Sequence, residues 1–361
     1  MPFERGSFTF AMFDLNGELP DNLLDLFKAR KAGPLDAVSD EPQLGWVTGQ
    51  HLLDTDIDEN AMMGGSYYLT LRQAVRKMPT ALLNAVCKRE ERAYMRANNL
   101  EYVSSKMKKQ IKEEALEKHI QKMPPALSGI PMVLDPNDKL LYVGASSTSQ
   151  IDLFLDTFFQ TTKVEPIQLT PGLILEKKYQ TTEVSFPELS FNGKKSSEPT
   201  IGRDFLTWLW YYSETESALQ LEPYGEFEVL VEAPLLFVAD EGQGAGESTV
   251  KKGDSPTRSA EAKAALAAGK KLKKAKIAIT RGGEIWSGTF DADQFAFGSF
   301  KLPEGENMDE DSVFCERVQN LSVFRDAFIG YFCKFADSMM GIEAENFQKK
   351  VRDWAENRDA L

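Results

Sequence analysis

Gly129-Ile-Pro-Met-Val-Leu-Asp-Pro-Asn-Asp-Lys-Leu-Leu-Tyr-Val143 decides how the first part of this chain is read. Two apolar runs, Gly129 to Asp135 and Lys139 to Val143, flank Pro136-Asn137-Asp138, a triplet with the turn chemistry of a β-hairpin. Helical patterns bound the stretch, from about Ser104 to Lys122 before it and from Ser149 to Gln160 after it. Further upstream, Ser66-Tyr-Tyr-Leu-Thr-Leu-Arg72 reads as a strand. A helical run from Pro79, suited to a first turn, to about Asn98 follows it. The opening Gly6 to Phe13 places Phe8, Phe10 and Met12 on one face by its period of two, and Pro20 to Arg30 reads as an amphipathic helix. Strands joined by a hairpin and accompanied by helices predict an α+β unit over residues 1–165.

A chain of 361 residues exceeds the usual size of one hydrophobic core, so further units are expected. Residues 166–240 form a middle segment. Its helix, Gly202 to Glu214, is aromatic on more than one face and so buried on several sides; strand patterns at Glu226 to Glu232 and Pro234 to Val238 follow. Residues 241–303 contain a basic finger and a β-meander, with strands at Glu284 to Phe290 and Gln294 to Lys301. The Gly- and Glu-rich link from Asp240 to Thr249 is expected to be a mobile loop. Residues 304–361 read as two helices broken near Gly341, with Val313, Phe314, Val318, Leu321, Phe324, Phe328 and Phe332 at helical spacing.

Several chemistries find no pattern. The three cysteines, Cys87, Cys315 and Cys333, form no CxxC pair and no even set, which fits a reducing compartment. The two histidines, His51 and His119, lie in no metal or nucleophile motif, and no GxxxxGK[ST] cradle is present. Asp54-Thr-Asp-Ile-Asp58 starts like a calcium loop but has Glu59 at the sixth position and Gly65 at the twelfth. Asp240, Glu241, Asp291 and Asp293 are the acids a metal-dependent nuclease would draw on, and they read as solvated loop acids. No metal, cofactor or catalytic residue is expected. The start of the sequence shows no export signal and no run is long enough to span a membrane, so a cytoplasmic protein is expected.

Charge is segregated. The formal net charge is −13, yet residues 71–122 carry 13 Lys+Arg against 6 Asp+Glu and residues 251–281 carry 10 against 2, which leaves −28 for the rest. In the second window, Ser255-Pro256 offers a helix start, Ala-rich residues 258–268 propagate it and Gly269 can end it. So small an apolar face predicts a projecting finger. Beyond it, Ala275, Ile277 and Ile279 fit an inward strand face while Lys274 and Lys276 share the other, about 6.7 Å apart along an edge. Lys270, Lys271 and Lys273 extend this patch, and Lys251 with Lys252 adds a pair. Such an array suits phosphate backbones and reads no base sequence. In the first window, Arg76, Lys77, Lys108, Lys109 and Lys112, with Lys88, Arg89, Arg92, Arg96 and Lys106, lie on two helices and their approach. They form either half of an electropositive channel or a surface neutralised at i,i+4 by Glu90, Glu91, Glu113, Glu114 and Glu117.

Several of these segments together resemble the bacterial recombination-associated RdgC family. They are Leu44-Gly-Trp-Val47, Arg76-Lys-Met-Pro79, the basic helices, Met123 to Asp135, Val250 to Thr257, Ala267-Ala-Gly-Lys270 and Lys276-Ile-Ala-Ile279. The resemblance implies an elongated, multi-part α+β fold of mixed sheets and helices, closed as a homodimer into a ring. Duplex DNA would pass through its positive hole with little sequence preference. It also implies a nucleoid-associated, non-enzymatic protein that restrains the recombinase RecA. Single-stranded DNA is left open as a partner. Residue by residue, the DNA-contacting pair falls on Lys251 and Lys252, and a dimer contact falls on Pro124, Pro125, Ala126 and Leu127. The competing readings are a metal-dependent DNA nuclease and a protein-interaction scaffold with an acidic exterior.

Overall fold

Strand β1 (Phe8–Asn16) is buried on both faces, because Phe8, Phe10 and Met12 enter one apolar core while Ala11, Phe13 and Leu15 enter another. That double burial marks a strand in the middle of a sheet covered above and below. A computed structural model describes residues 3–191, 198–216, 218–239, 246–251, 256–305 and 309–357.

From β1 the chain runs through α1 (Leu23–Ala29), β2 (Gln43–Thr48), β3 (Met62–Met63), β4 (Ser66–Arg76), α2 (Thr80–Asn98) and α3 (Ser105–Ile120). It continues through β5 (Pro125–Asp135), β6 (Leu140–Val143), α4 (Thr148–Thr162), β7 (Glu165–Gln168), α5 (Pro171–Tyr179) and α6 (Ile201–Thr215). Then follow β8 (Leu219–Leu221), β9 (Gly225–Val238), β10 (Glu247–Val250), α7 (Ala260–Ala267), β11 (Lys271–Arg281), β12 (Glu284–Asp291) and β13 (Ala296–Lys301). The helices α8 (Glu310–Met340) and α9 (Ala344–Glu356) end the described chain. The main sheet order is β10-β9-β11-β12-β13-β1-β6-β5-β4-β2, with β3 on β4, β7 on β1 and β8 on β9. Neighbouring strands are antiparallel throughout, so the protein is α+β.

The sheet is continuous from residues of the first segment to those of the third, since β1 pairs with β13 on one side and β6 on the other. One face carries the larger core along its whole length, with α6 buried from Asp204 to Tyr212 and α8 contributing Phe324, Phe328, Phe332 and Phe335. The opposite face is covered near β1, β5 and β6 by Phe27 of α1 and Phe154 and Phe158 of α4. The hairpin turn forms as its composition requires: the Asp135 carboxylate accepts from the N–H groups of Asn137 (2.9 Å) and Asp138 (3.2 Å).

Four local expectations are corrected. The two strand patterns around Pro234 are one 14-residue strand, β9, whose buried and exposed residues alternate through the proline. Residues 247–249 of the expected loop, together with Val250, are strand β10, paired with the end of β9, and residues 240–245 lie outside the described residues. Helix α7 is capped by Ser259, whose Oγ accepts from the Ala262 N–H at 3.2 Å, while Ser255 lies outside the described residues. This helix does not project: Ala262, Ala265 and Leu266 are buried in the larger core, because small side chains let a helix sit close. Gly269 does end it, at φ +81°, as a residue without Cβ can.

Candidate nucleic-acid interface

The second basic window lies mostly on β11, which is an interior strand between β9 and β12 and not a sheet edge. Ala275, Ile277 and Ile279 point inward as their spacing predicts. The lysines between and before them meet acids. Lys274 Nζ lies 2.7 Å from Asp291, its cross-strand partner, and Lys276 Nζ lies 2.6 Å from Glu232 on β9. Lys273 Nζ is 3.1 Å from Asp293, which also takes a bidentate pair from Arg203 at 2.6 and 2.9 Å. Burial opposes ionisation of Asp293, but Arg203 and Lys273 outweigh it and hold the carboxyl below the ordinary aspartate range. Lys270 donates to Ser248 Oγ at 2.6 Å.

Lys271 must be withdrawn from any phosphate-contacting set. It is 3% exposed, with Nζ 2.6 Å from Asp204 and 2.8 Å from Glu188, and it donates to Thr200 Oγ1. Burial works against the ammonium, yet the charges and hydrogen bonds of Asp204 and Glu188 hold it above the usual lysine value. Asp204, 1% exposed, is pushed up to about 6 by burial, with Lys271 and the Leu189 N–H pulling the other way. This buried cluster ties β11 to α6 and to the segment before it. Lys251 is exposed and has no ion pair among the described residues; Lys252 lies outside them.

The first window folds differently. Helices α2 and α3 pack on each other through a small cluster of their own, Met78, Val86, Ala115 and Ile120, with Leu83, Cys87, Leu116 and Met123 around it. Of the 19 residues of α2 only Val86 is buried, so the hairpin keeps most of its surface in solvent. Asn99, at φ 49°, ends α2, and Ser104 starts α3 by accepting from the Met107 N–H at 3.3 Å. A cleft of 350 Å³ runs between the helices, walled by Val86, Ala93, Tyr94, Ala97, Ile111 and Ala115.

On this hairpin and its approach, Lys77, Lys88, Arg92, Arg96, Lys106, Lys108, Lys112, Lys118 and Lys122 are exposed and have no ion pair among the described residues. Arg89 pairs with Glu90 at 2.8 Å, and Lys109 approaches Glu113 at 3.7 Å with both side chains largely exposed. Such solvated pairs contribute about 0–1 kcal/mol and yield readily to a stronger anion. Among the described residues, the i,i+4 neutralisation that the sequence permits is formed only by Lys109 and Glu113.

Arg76 is the exception and the second correction. It is 8% exposed, and its guanidinium donates to the carbonyls of Val38 (2.8 Å), Leu35 (3.1 Å) and Met123. It clamps the base of the hairpin, where α3 returns to the sheet, to the loop after α1. Arg72, 3% exposed, likewise donates to the carbonyls of Leu52 and Gly33. Close by, Pro125, Ala126 and Leu127 begin β5 and pair with Arg76, Val75 and Ala74, while Pro124 and Ala126 are exposed. They remain accessible at the hairpin base.

The acids of Asp54 to Asp58 act as turn acceptors: Thr48 Oγ1 donates to Asp54 at 2.7 Å, and Asp56 and Asn60 N–H groups donate to Asp54 and Asp58. Among the described residues no group of three or more His, Cys, Asp or Glu side chains is arranged to hold a metal ion. No helix among them is long and apolar enough to cross a membrane.

The fold and this surface define an α+β protein whose continuous sheet carries an outlying two-helix hairpin rich in unpaired cations. Residues 12–174 match the sequence profile of the family described as "Putative exonuclease, RdgC". Comparison with curated proteins finds no match. The matched stretch contains α2, α3 and the residues of the hairpin base; β11 lies outside it.

Proposed function

We propose that this protein binds DNA through the phosphate backbone with little sequence preference and acts in RecA-dependent recombination without catalysing a reaction. One observation carries the reading: the α2–α3 hairpin, inside the RdgC-matching stretch, holds a cluster of exposed cations without acidic partners in a chain of net charge −13. An acidic protein repels DNA over most of its surface, so contact concentrates where positive charge is uncompensated. Lysine-rich helices neutralise phosphates and release counterions but read no base edges.

In this reading two copies close into a ring around duplex DNA, with Pro124, Pro125, Ala126 and Leu127 of each copy at a contact between them. The protein is cytoplasmic and nucleoid-associated, and it restrains RecA by occupying DNA. Exposure of Pro124 and Ala126 beside the hairpin base supports that placement. The family description names an exonuclease, which makes metal-dependent cleavage the second reading. Asp291 and Asp293, two of the acids it would draw on, are engaged by Lys274, Lys273 and Arg203, which favours the non-enzymatic reading.

A mobility-shift series with linear and circular duplexes across salt, with Mg²⁺ and with EDTA, tests both. Affinity should fall steeply with salt, vary little with sequence and leave the DNA intact. Salt-independent binding overturns the backbone reading, and EDTA-sensitive degradation establishes the nuclease. Sedimentation should show a dimer, and a monomer at working concentration removes the ring.

A further inference from the structure

We propose that the tip of the α2–α3 hairpin is a stacking platform for an unpaired base, formed by Tyr102, so that the protein grips junctions between single- and double-stranded DNA. The proposal rests on the reading that the hairpin binds DNA and names the feature of DNA that its tip selects.

Tyr102 is 78% exposed. It is the one exposed tyrosine of the ten, all of which lie among the described residues. Among those residues it has no ring partner and no hydrogen bond. Leu100, 46% exposed, stands beside it across Glu101. An exposed aromatic ring on a mobile loop would mean little, but this turn is fixed at both ends. Asn99 closes α2, Ser104 caps α3, and Val103, 7% exposed, anchors the turn inward next to Tyr102. The ring is thus held outward by its own backbone.

Its surroundings specify the occupant. Arg96 in the last turn of α2 and Lys106 and Lys108 in the first turn of α3 flank the tip, exposed and without ion pairs among the described residues. An exposed aromatic face with unpaired cations in the helix turns on either side of it in the chain matches a nucleotide, which offers a flat base and a phosphate together. Two apolar side chains split by a glutamate fall far short of the roughly 800 Å² per partner of a stable protein interface. Inside a duplex both faces of a base are already stacked, and opening a step costs a few kcal/mol. A base that is already unpaired presents its face freely.

The test uses the full chain and three DNAs: a closed circular duplex, a duplex with a single-stranded overhang, and the same overhang carrying 2-aminopurine at its junction. Tyr102→Ala should bind the overhang about ten-fold more weakly than the unaltered protein, with circular duplex affinity unchanged within about two-fold. Tyr102→Phe should restore the overhang affinity, because the ring and not the hydroxyl stacks. Binding should quench 2-aminopurine, and Tyr102→Ala should abolish the quenching. Equal overhang affinity and quenching for Tyr102→Ala would overturn the platform. Equal loss on all three DNAs, with a shift toward monomer in sedimentation, would make the tip a protein contact and also overturn it. If the unaltered protein bound none of these DNAs, the DNA-binding reading itself would fail, and the platform with it.

Discussion

The α2–α3 hairpin and the strand β11 are both rich in positive charge, yet they hold it in opposite ways. Every lysine of β11 has an acid within reach from elsewhere in the fold: Glu188 and Asp204 for Lys271, Asp293 for Lys273, Asp291 for Lys274, Glu232 for Lys276. On the hairpin, most cations have none among the described residues. A paired charge projects little field beyond a screening length of about 8 Å, whereas an unpaired cluster sums. Local charge density in a sequence is therefore a poor guide to surface potential when the segment is a central strand, because its neighbours come from distant sequence. An outlying helix pair has few such neighbours, and its sequence charge survives folding.

The contrast is sharpest at Lys271. Lys271→Met should destabilise the fold by about 3–5 kcal/mol in urea unfolding, because Asp204 is left as a buried, uncompensated carboxylate. The DNA affinity of the folded fraction should not change. A stable Lys271→Met protein with weakened DNA binding would place Lys271 at the interface after all. Arg76→Met should cost about 3 kcal/mol by orphaning the carbonyls of Leu35, Val38 and Met123. A wild-type melting profile for that variant would remove the clamp.

Acid–base behaviour sharpens the same point more gently. Asp204 has a folded value raised to about 6, above its unfolded value, so the folded state holds the proton more tightly. Its contribution therefore favours folding at low pH and is lost as pH rises from about 4 to about 6. Asp204→Asn should remove that component from the stability profile, and an unchanged slope over this window would contradict the assignment. The smallest effect is expected from Lys274→Gln with Lys276→Gln: under about 1 kcal/mol in stability, as for other partly exposed pairs, and under about three-fold in DNA affinity.

Much of the fold was legible in the sequence for stated reasons. The 136–138 turn, the Gly269 and Gly341 helix ends and the period-two faces of β1 and β11 are local signals, and each formed where its residues indicate. What was not legible depends on tertiary pairing. Nothing local shows that β1 joins β13 to β6, that β11 is interior, or that α7 docks through alanines. Arg76 misled for a similar reason: it continues a basic run with Lys77, but strand alternation turns it inward onto backbone carbonyls while Lys77 remains exposed. Tyr102 carried no signal at all, since an aromatic residue in a short turn between helices is indistinguishable in sequence from one that packs.

If the hairpin and not β11 grips DNA, the salt dependence of duplex binding follows the hairpin's cations. Three proteins are compared: the unaltered chain, one with Lys88, Arg92, Arg96, Lys106, Lys108 and Lys112 replaced by glutamine, and one with Lys273, Lys274 and Lys276 so replaced. Each lost phosphate contact lowers the slope of log K against log salt by about 0.9. The hairpin variant should lose most of the slope and at least about 100-fold in affinity at low salt, while the strand variant should keep the slope of the unaltered protein. The reverse pattern, with the hairpin variant unchanged and the strand variant flattened, would contradict the account.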